Sequence, residues 1–213
     1  MVEFASHAVR KPYSKLFTAF FSGLLVTTVG LYLGQYVSDA LRLPLFIVEI
    51  AMIFMMMTVR KRKAVGYSLM YGFMFISGVT LYTAIGHYVN LLGASLVLQA
   101  FTVTTVSFAA IAVYAMVSKR DFSFLGGFLF IGLIALLVLS LFSAFIPVST
   151  MTAQIYSGLG ILIFVGYTLF DFSRMTVHGF TDEDIPMIVV SIYLDFINLF
   201  LYILQFIGIG SKN

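Results

Sequence analysis

Apolar residues run along this chain in seven blocks, at about 15–37, 44–59, 65–89, 94–117, 123–146, 151–171 and 187–208, with short polar clusters between them. Some 20 apolar residues in helical form cross the hydrocarbon core of a bilayer, so the pattern predicts an all-α membrane protein with seven transmembrane helices. The second block is short, about 16 residues or about 24 Å at 1.5 Å per residue. Pro12, Pro44, Pro147 and Pro186 fall at block edges, where a missing amide hydrogen costs little. The opening MVEFASHAVRKPYS is mixed and polar, and the apolar run after it is too long for a signal-peptide core. It is expected to be a short cytoplasmic tail over about 1–14. No linker or low-complexity tract interrupts the pattern, so residues 1–213 read as one multi-pass membrane domain.

Composition agrees with the pattern. Hydrophobic residues make up 61% of the chain and charged residues 10%, against about a quarter charged in soluble domains, and the mean hydropathy is +1.06. The chain has no Cys, which excludes disulfides and thiolate metal sites. The net charge of +3 is small and its basic residues are clustered, which bears on orientation rather than on nucleic acid. With seven spans, Arg10, Lys11, Lys15, Arg60, Lys61, Arg62, Lys63, Lys119, Arg120 and Arg174 collect on the N-terminal side, and only Arg42 and Lys212 on the other. Basic residues concentrate in the cytoplasm. The N-terminus is therefore expected inside and the C-terminus outside. A last segment that dipped in and returned would instead leave the C-terminus inside.

Four ionisable residues break the apolar blocks: Glu49, Arg60 at the end of the second block, Asp171 at the end of the sixth, and Asp195 in the seventh. A charge in the hydrocarbon region is costly and marks a candidate functional site. Asp171, Asp195 and Arg60 are expected at a common depth in the cytoplasmic part of the membrane, whereas Glu49 is expected near the outer surface. Ser191, Asp195, Asn198, Tyr202 and Gln205 recur at intervals of 4, 3, 4 and 3, which draws one polar stripe along a helix. A weaker stripe joins Gln154, Ser157, Gly160, Thr168 and Asp171. Polar stripes in a membrane face protein or water, not lipid, so the two can converge on one seam. Glycines such as Gly78, Gly86, Gly158 and Gly160 suit close helix contact, and the run Met55, Met56 and Met57 suits deformable packing.

Two carboxylates in one low-dielectric site do not both ionise cheaply and titrate as a unit, which makes such a pair a pH sensor. With both ionised, the pair offers oxygen ligands to a hard cation such as Ca²⁺; permeation requires that this binding be weak. A nearby guanidinium would act as a latch on one acid. Enzyme chemistry finds less support. Intramembrane aspartyl proteases place Gly-x-Gly before the second aspartate and carry a Pro-Ala-Leu; here Ile-Tyr-Leu precedes Asp195 and no Pro-Ala-Leu occurs. His7, His87 and His178 lie in the tail or at block edges without ligand spacing, and no Lys lies inside a span, away from its ends, for a retinal Schiff base. A proton- or cation-coupled secondary transporter remains an alternative, since the same acids can relay protons. A non-conducting membrane regulator acting through partners is another.

The short-looped spans, the stretch GYTLFDFSRM at 166–175 and SIYLDFINLFLYIL at 191–204 resemble the transmembrane Bax inhibitor motif family, in its compact bacterial form, over essentially the whole chain. The resemblance implies six helices in two three-helix layers around a central seventh. It also implies a pH-sensitive calcium leak governed by an aspartate pair matching Asp171 and Asp195, with Arg60 as the basic residue that engages the pair. The expected setting is a bacterial plasma membrane. The expected partners are the lipid bilayer, Ca²⁺ as transient ligand of Asp171 and Asp195, and H⁺, with no tightly bound cofactor, no nucleic acid and no catalysis. Glu49, Ser191, Asn198, Tyr202 and Gln205 are further seam candidates.

Overall fold

The computed structural model describes residues 2–58, 63–143, 145–146 and 148–210, with side chains from Tyr13 onward apart from residues 39 and 63. The described residues form seven α-helices and no strand: α1 (Val2–Gly34), α2 (Arg42–Thr58), α3 (Lys63–Leu92), α4 (Ala94–Ser118), α5 (Gly126–Ser143), α6 (Thr150–His178) and α7 (Ile185–Gly210). Helices satisfy their own backbone polar groups, which is what hydrocarbon demands of a spanning segment. Six helices hold segments long and apolar enough to cross a membrane, the exception being α2 with 17 residues. The seven apolar blocks thus each became a helix, and the shortest block is the one below spanning length.

Helix ends follow local chemistry. Gly93, at φ 83°, makes a one-residue break between α3 and α4. Ser149 caps α6 by accepting the Thr152 amide at 3.1 Å. Gly179, at φ 71°, closes α6 with its amide on the Met175 carbonyl at 3.1 Å. Thr181 and Asp184 then form a reciprocal turn into α7, the Thr181 amide donating to Asp184 Oδ2 at 3.0 Å.

Two boundaries differ from the sequence expectation. α1 is helical from Val2, so the polar tail continues the first span as helix. α6 runs seven residues past Asp171, because Phe172, Ser173 and Met175 carry its buried face onward and no breaker intervenes before Gly179. The connection to α7 is therefore 179–184, shorter than the 15 or so residues expected.

Contacts divide the chain into two units, residues 1–86 with 180–193 and residues 87–179 with 194–213. In the first, α1 and α3 meet through glycine. A Cβ on Gly30 would strike the Phe75 carbonyl, and one on Gly78 the Thr27 carbonyl, the close backbone approach that small residues permit in membranes. Lys15 of α1 forms an ion pair with Asp182. In the second unit, α4 and α5 pack on α6, and Phe101, Phe108, Phe172, Phe196 and Phe200 interlock edge to face at centroid distances of 5.4 to 5.9 Å. Half of the apolar window of α7 is buried, against 39% or less in the other five spans.

Candidate functional site

The polar stripes of α6 and α7 meet inside the second unit. The Tyr202 ring lies against Gly160 and stacks on Phe164 at 5.7 Å, and the Phe206 ring reaches Gly158. These contacts fix an antiparallel register. Seven residues from Phe164 along α6 stands Asp171, and seven residues from Tyr202 along α7, in the same direction, stands Asp195.

Asp195 is buried, 4% exposed, and its Oδ2 has no hydrogen-bond partner among the described residues. The α6–α7 register sets Asp171 level with it, and Tyr167 stands one turn before Asp171 on the same side of α6. Asp171 is half-buried. It lies about 11 Å from the end of α6, and Asp195 about 15 Å into α7, at 1.5 Å per residue; Asp171 is thus deeper than a position at a helix end. Arg60 lies outside the described residues.

The remaining stripe residues are differently engaged. Asn198 spends its amide on its own helix, donating to the Leu194 carbonyl at 2.8 Å. Tyr202 shares a hydrogen bond of 3.0 Å with Tyr156. Ser191 and Gln205 are half-buried. Glu49 is not at a solvated surface. It is buried, 9% exposed, and Oε1 accepts the Thr80 hydroxyl at 2.6 Å within the first unit. Among the expected packing glycines, Gly78 and Gly160 make close contacts, whereas nothing approaches Gly86 within 4 Å.

Several polar partners were not singled out from the sequence. Tyr193, fully buried two residues before Asp195, donates to Ser77 Oγ at 3.0 Å and sets its ring edge-on to Phe73. Tyr156, Tyr167 and Thr80 complete the set. Only Tyr167, one helical turn before Asp171, carried a signal in its spacing.

Two carboxyls at one level of a helix pair, one buried and one half-buried, can take up or release a proton, and can offer oxygens to a hard cation. Among the described residues no three acids or histidines gather. A cation here would complete its shell with water or carbonyl groups, which keeps binding weak.

Comparison with known proteins agrees with the motif reading. The family model described as inhibitor of apoptosis-promoting Bax1 matches residues 9–212. An uncharacterised protein of Helicobacter pylori is 36% identical over 198 residues, covering 91% of this chain and 85% of its own. Bax inhibitor 1 of Schizosaccharomyces pombe is 37% identical over 147 residues, 69% of this chain and 53% of its own. The Golgi anti-apoptotic protein of vaccinia virus is 31% identical over 210 residues, 96% of this chain and 86% of its own. With a family match over nearly its full length and, among the described residues, six segments long and apolar enough to cross a membrane, the chain belongs to the transmembrane Bax inhibitor motif family of integral membrane proteins.

Proposed function

We propose that the protein is a pH-sensitive calcium leak, gated by protonation of Asp171 and Asp195. The observation that carries this reading is Asp195 itself: a buried carboxylate in a helix long and apolar enough to span, one oxygen without a hydrogen-bond partner among the described residues, with Asp171 level with it across the α6–α7 register. A purely structural polar contact between membrane helices contributes under about 1 kcal/mol on average, a small return for burying a carboxylate. Change in the protonation of the pair changes the charge held in the α6–α7 seam. That charge biases the seating of α7, the helix around which the other six pack in this reading, and hence the closed-to-open equilibrium. Arg60, at the cytoplasmic end of the second apolar block, serves as a latch on the pair. The N-terminus faces the cytoplasm of a bacterial cell and the C-terminus the outside.

The test is calcium flux from liposomes holding purified protein and a calcium dye, with pH as the variable. Asp171→Asn and Asp195→Asn are expected to remove the pH response, and Arg60→Ala to raise basal leak. Wild-type flux and pH response in both aspartate variants would take the pair out of the mechanism. Flux that saturates and needs a counter-ion gradient would favour a coupled transporter.

A second reading draws on the names of relatives, Bax inhibitor 1 and Golgi anti-apoptotic protein: a membrane regulator that acts through protein partners. Purified protein that passes no calcium at any pH would favour it.

A further inference from the structure

Tyr156 of α6 lies between two oxygens. Its hydroxyl donates to the Leu136 carbonyl of α5 at 3.2 Å and stands 3.0 Å from the Tyr202 hydroxyl of α7. A phenol has one proton to give. Tyr156 gives its proton to Leu136, so Tyr202 is the donor in the tyrosine pair. The chain runs from Tyr202 O–H to Tyr156, and from Tyr156 O–H to the Leu136 carbonyl, tying three helices with two bonds.

The Tyr202 ring can occupy this place only because residue 160 is glycine. A Cβ there would collide with three atoms of the ring. The ring also lies on Phe164 at an interplanar angle of 25°. Tyr202 and Phe164 each stand seven residues, about 11 Å, from the acid on their own helix. The two rings therefore fill the α6–α7 seam two turns from the carboxylates.

We propose that the Tyr202–Tyr156–Leu136 chain is a strap that closes this seam, and that an ion following the polar stripe passes only when the Tyr202 ring leaves Gly160. The strap rests on the reading of the seam as the ion route, yet it has a readout of its own. Two turns from the charge, it sets the basal closed state, while the acids set the response to pH.

The chain lacks cysteine, so Ser157→Cys supplies a single thiol. Ser157 is fully buried and sits one turn from Gly160 on the α6 stripe. Full-length protein in calcium-dye liposomes is compared with and without Tyr202→Phe, which keeps the ring and deletes the donor, and Tyr156→Phe. Reaction of the thiol with a charged methanethiosulfonate is followed in parallel. Tyr202→Phe is expected to raise both basal flux and thiol reaction by about three- to tenfold, the factor one net hydrogen bond is worth in an equilibrium, with the pH midpoint unmoved. Tyr156→Phe already removes both bonds, so adding Tyr202→Phe to it should change nothing further. Gly160→Ala, which displaces the ring and spares both hydroxyls, should act in the same direction and stands in if a tyrosine variant folds poorly. A conducting wild type whose flux, or whose thiol reaction, is unchanged by these substitutions overturns the strap. A silent wild type with a thiol that Tyr202→Phe exposes removes the leak reading alone and leaves the strap as the closure of α6 on α7.

Discussion

The Thr80 hydroxyl donates to Glu49 Oε1 at 2.6 Å, and in the described structure it is the only hydrogen bond drawn to that buried carboxyl. A buried acceptor that loses its donor forfeits its desolvation in full, whereas removing both partners is far cheaper. Thr80→Val is therefore expected to destabilise the protein by about 1–3 kcal/mol. Glu49→Met combined with Thr80→Val should recover most of that loss. Thermal unfolding in detergent measures both, and additive losses would show that the contact is not what holds Glu49.

The crossing of α1 and α3 depends on Gly30 and Gly78, each of which faces a carbonyl of the other helix. Gly30→Ala and Gly78→Ala should each cost about 1–3 kcal/mol, as overpacking does, and more if the backbones cannot part. Gly86 supplies the control, since nothing lies within 4 Å of an added Cβ. Gly86→Ala should be neutral or stabilising by up to about 1 kcal/mol from helix propensity. Equal effects at all three positions would contradict the close crossing.

What the sequence made legible was whatever repeats along one chain direction. Blocks of apolar residues announced the helices, and the spacing of Ser191, Asp195, Asn198 and Tyr202 announced a stripe on α7. Partners across space left no such trace. Thr80 lies 31 residues from Glu49, and Tyr156 lies 46 from Tyr202. Nothing in either neighbourhood marks the pairing, so the sequence placed Glu49 near the outer surface without naming its partner. The end of α6 was misjudged because Asp171 looks like the polar stop of an apolar run. In the fold the buried face goes on through Phe172 and Met175, and Gly179 is the stop.

Asp195 separates a functional from a structural role by its effect on stability. Its Oδ2 is buried without a hydrogen-bond partner among the described residues, and apolar replacement of buried charge is often neutral or stabilising. Asp195→Leu is expected to keep or raise the melting temperature, by about 2–4 °C per kcal/mol gained in a chain of this size, while the pH response of calcium flux disappears. A clear drop in melting temperature would instead mark Asp195 as structural glue between helices.

Asp121 offers a pH reference outside the spanning segments. It stands between α4 and the turn Ser123–Leu125 that opens α5. Ser123, first through its hydroxyl and then through its amide, which donates to Asp121 Oδ1 at 2.8 Å, holds this carboxyl below the usual aspartate range. A depressed folded value means that the contribution to stability is complete above the unfolded value of about 3.9 and is lost as pH falls through the folded one. Carbon-13 NMR of the Asp121 carboxyl should therefore give a midpoint below about 3.9, and the Ser123 amide should lose exchange protection only under such acid conditions. Since this titration is complete well below neutrality, Asp121→Asn should leave the pH profile of calcium flux near neutral pH unchanged. A shifted profile would move the pH sensor from the α6–α7 seam to the loop, and with it the origin of gating.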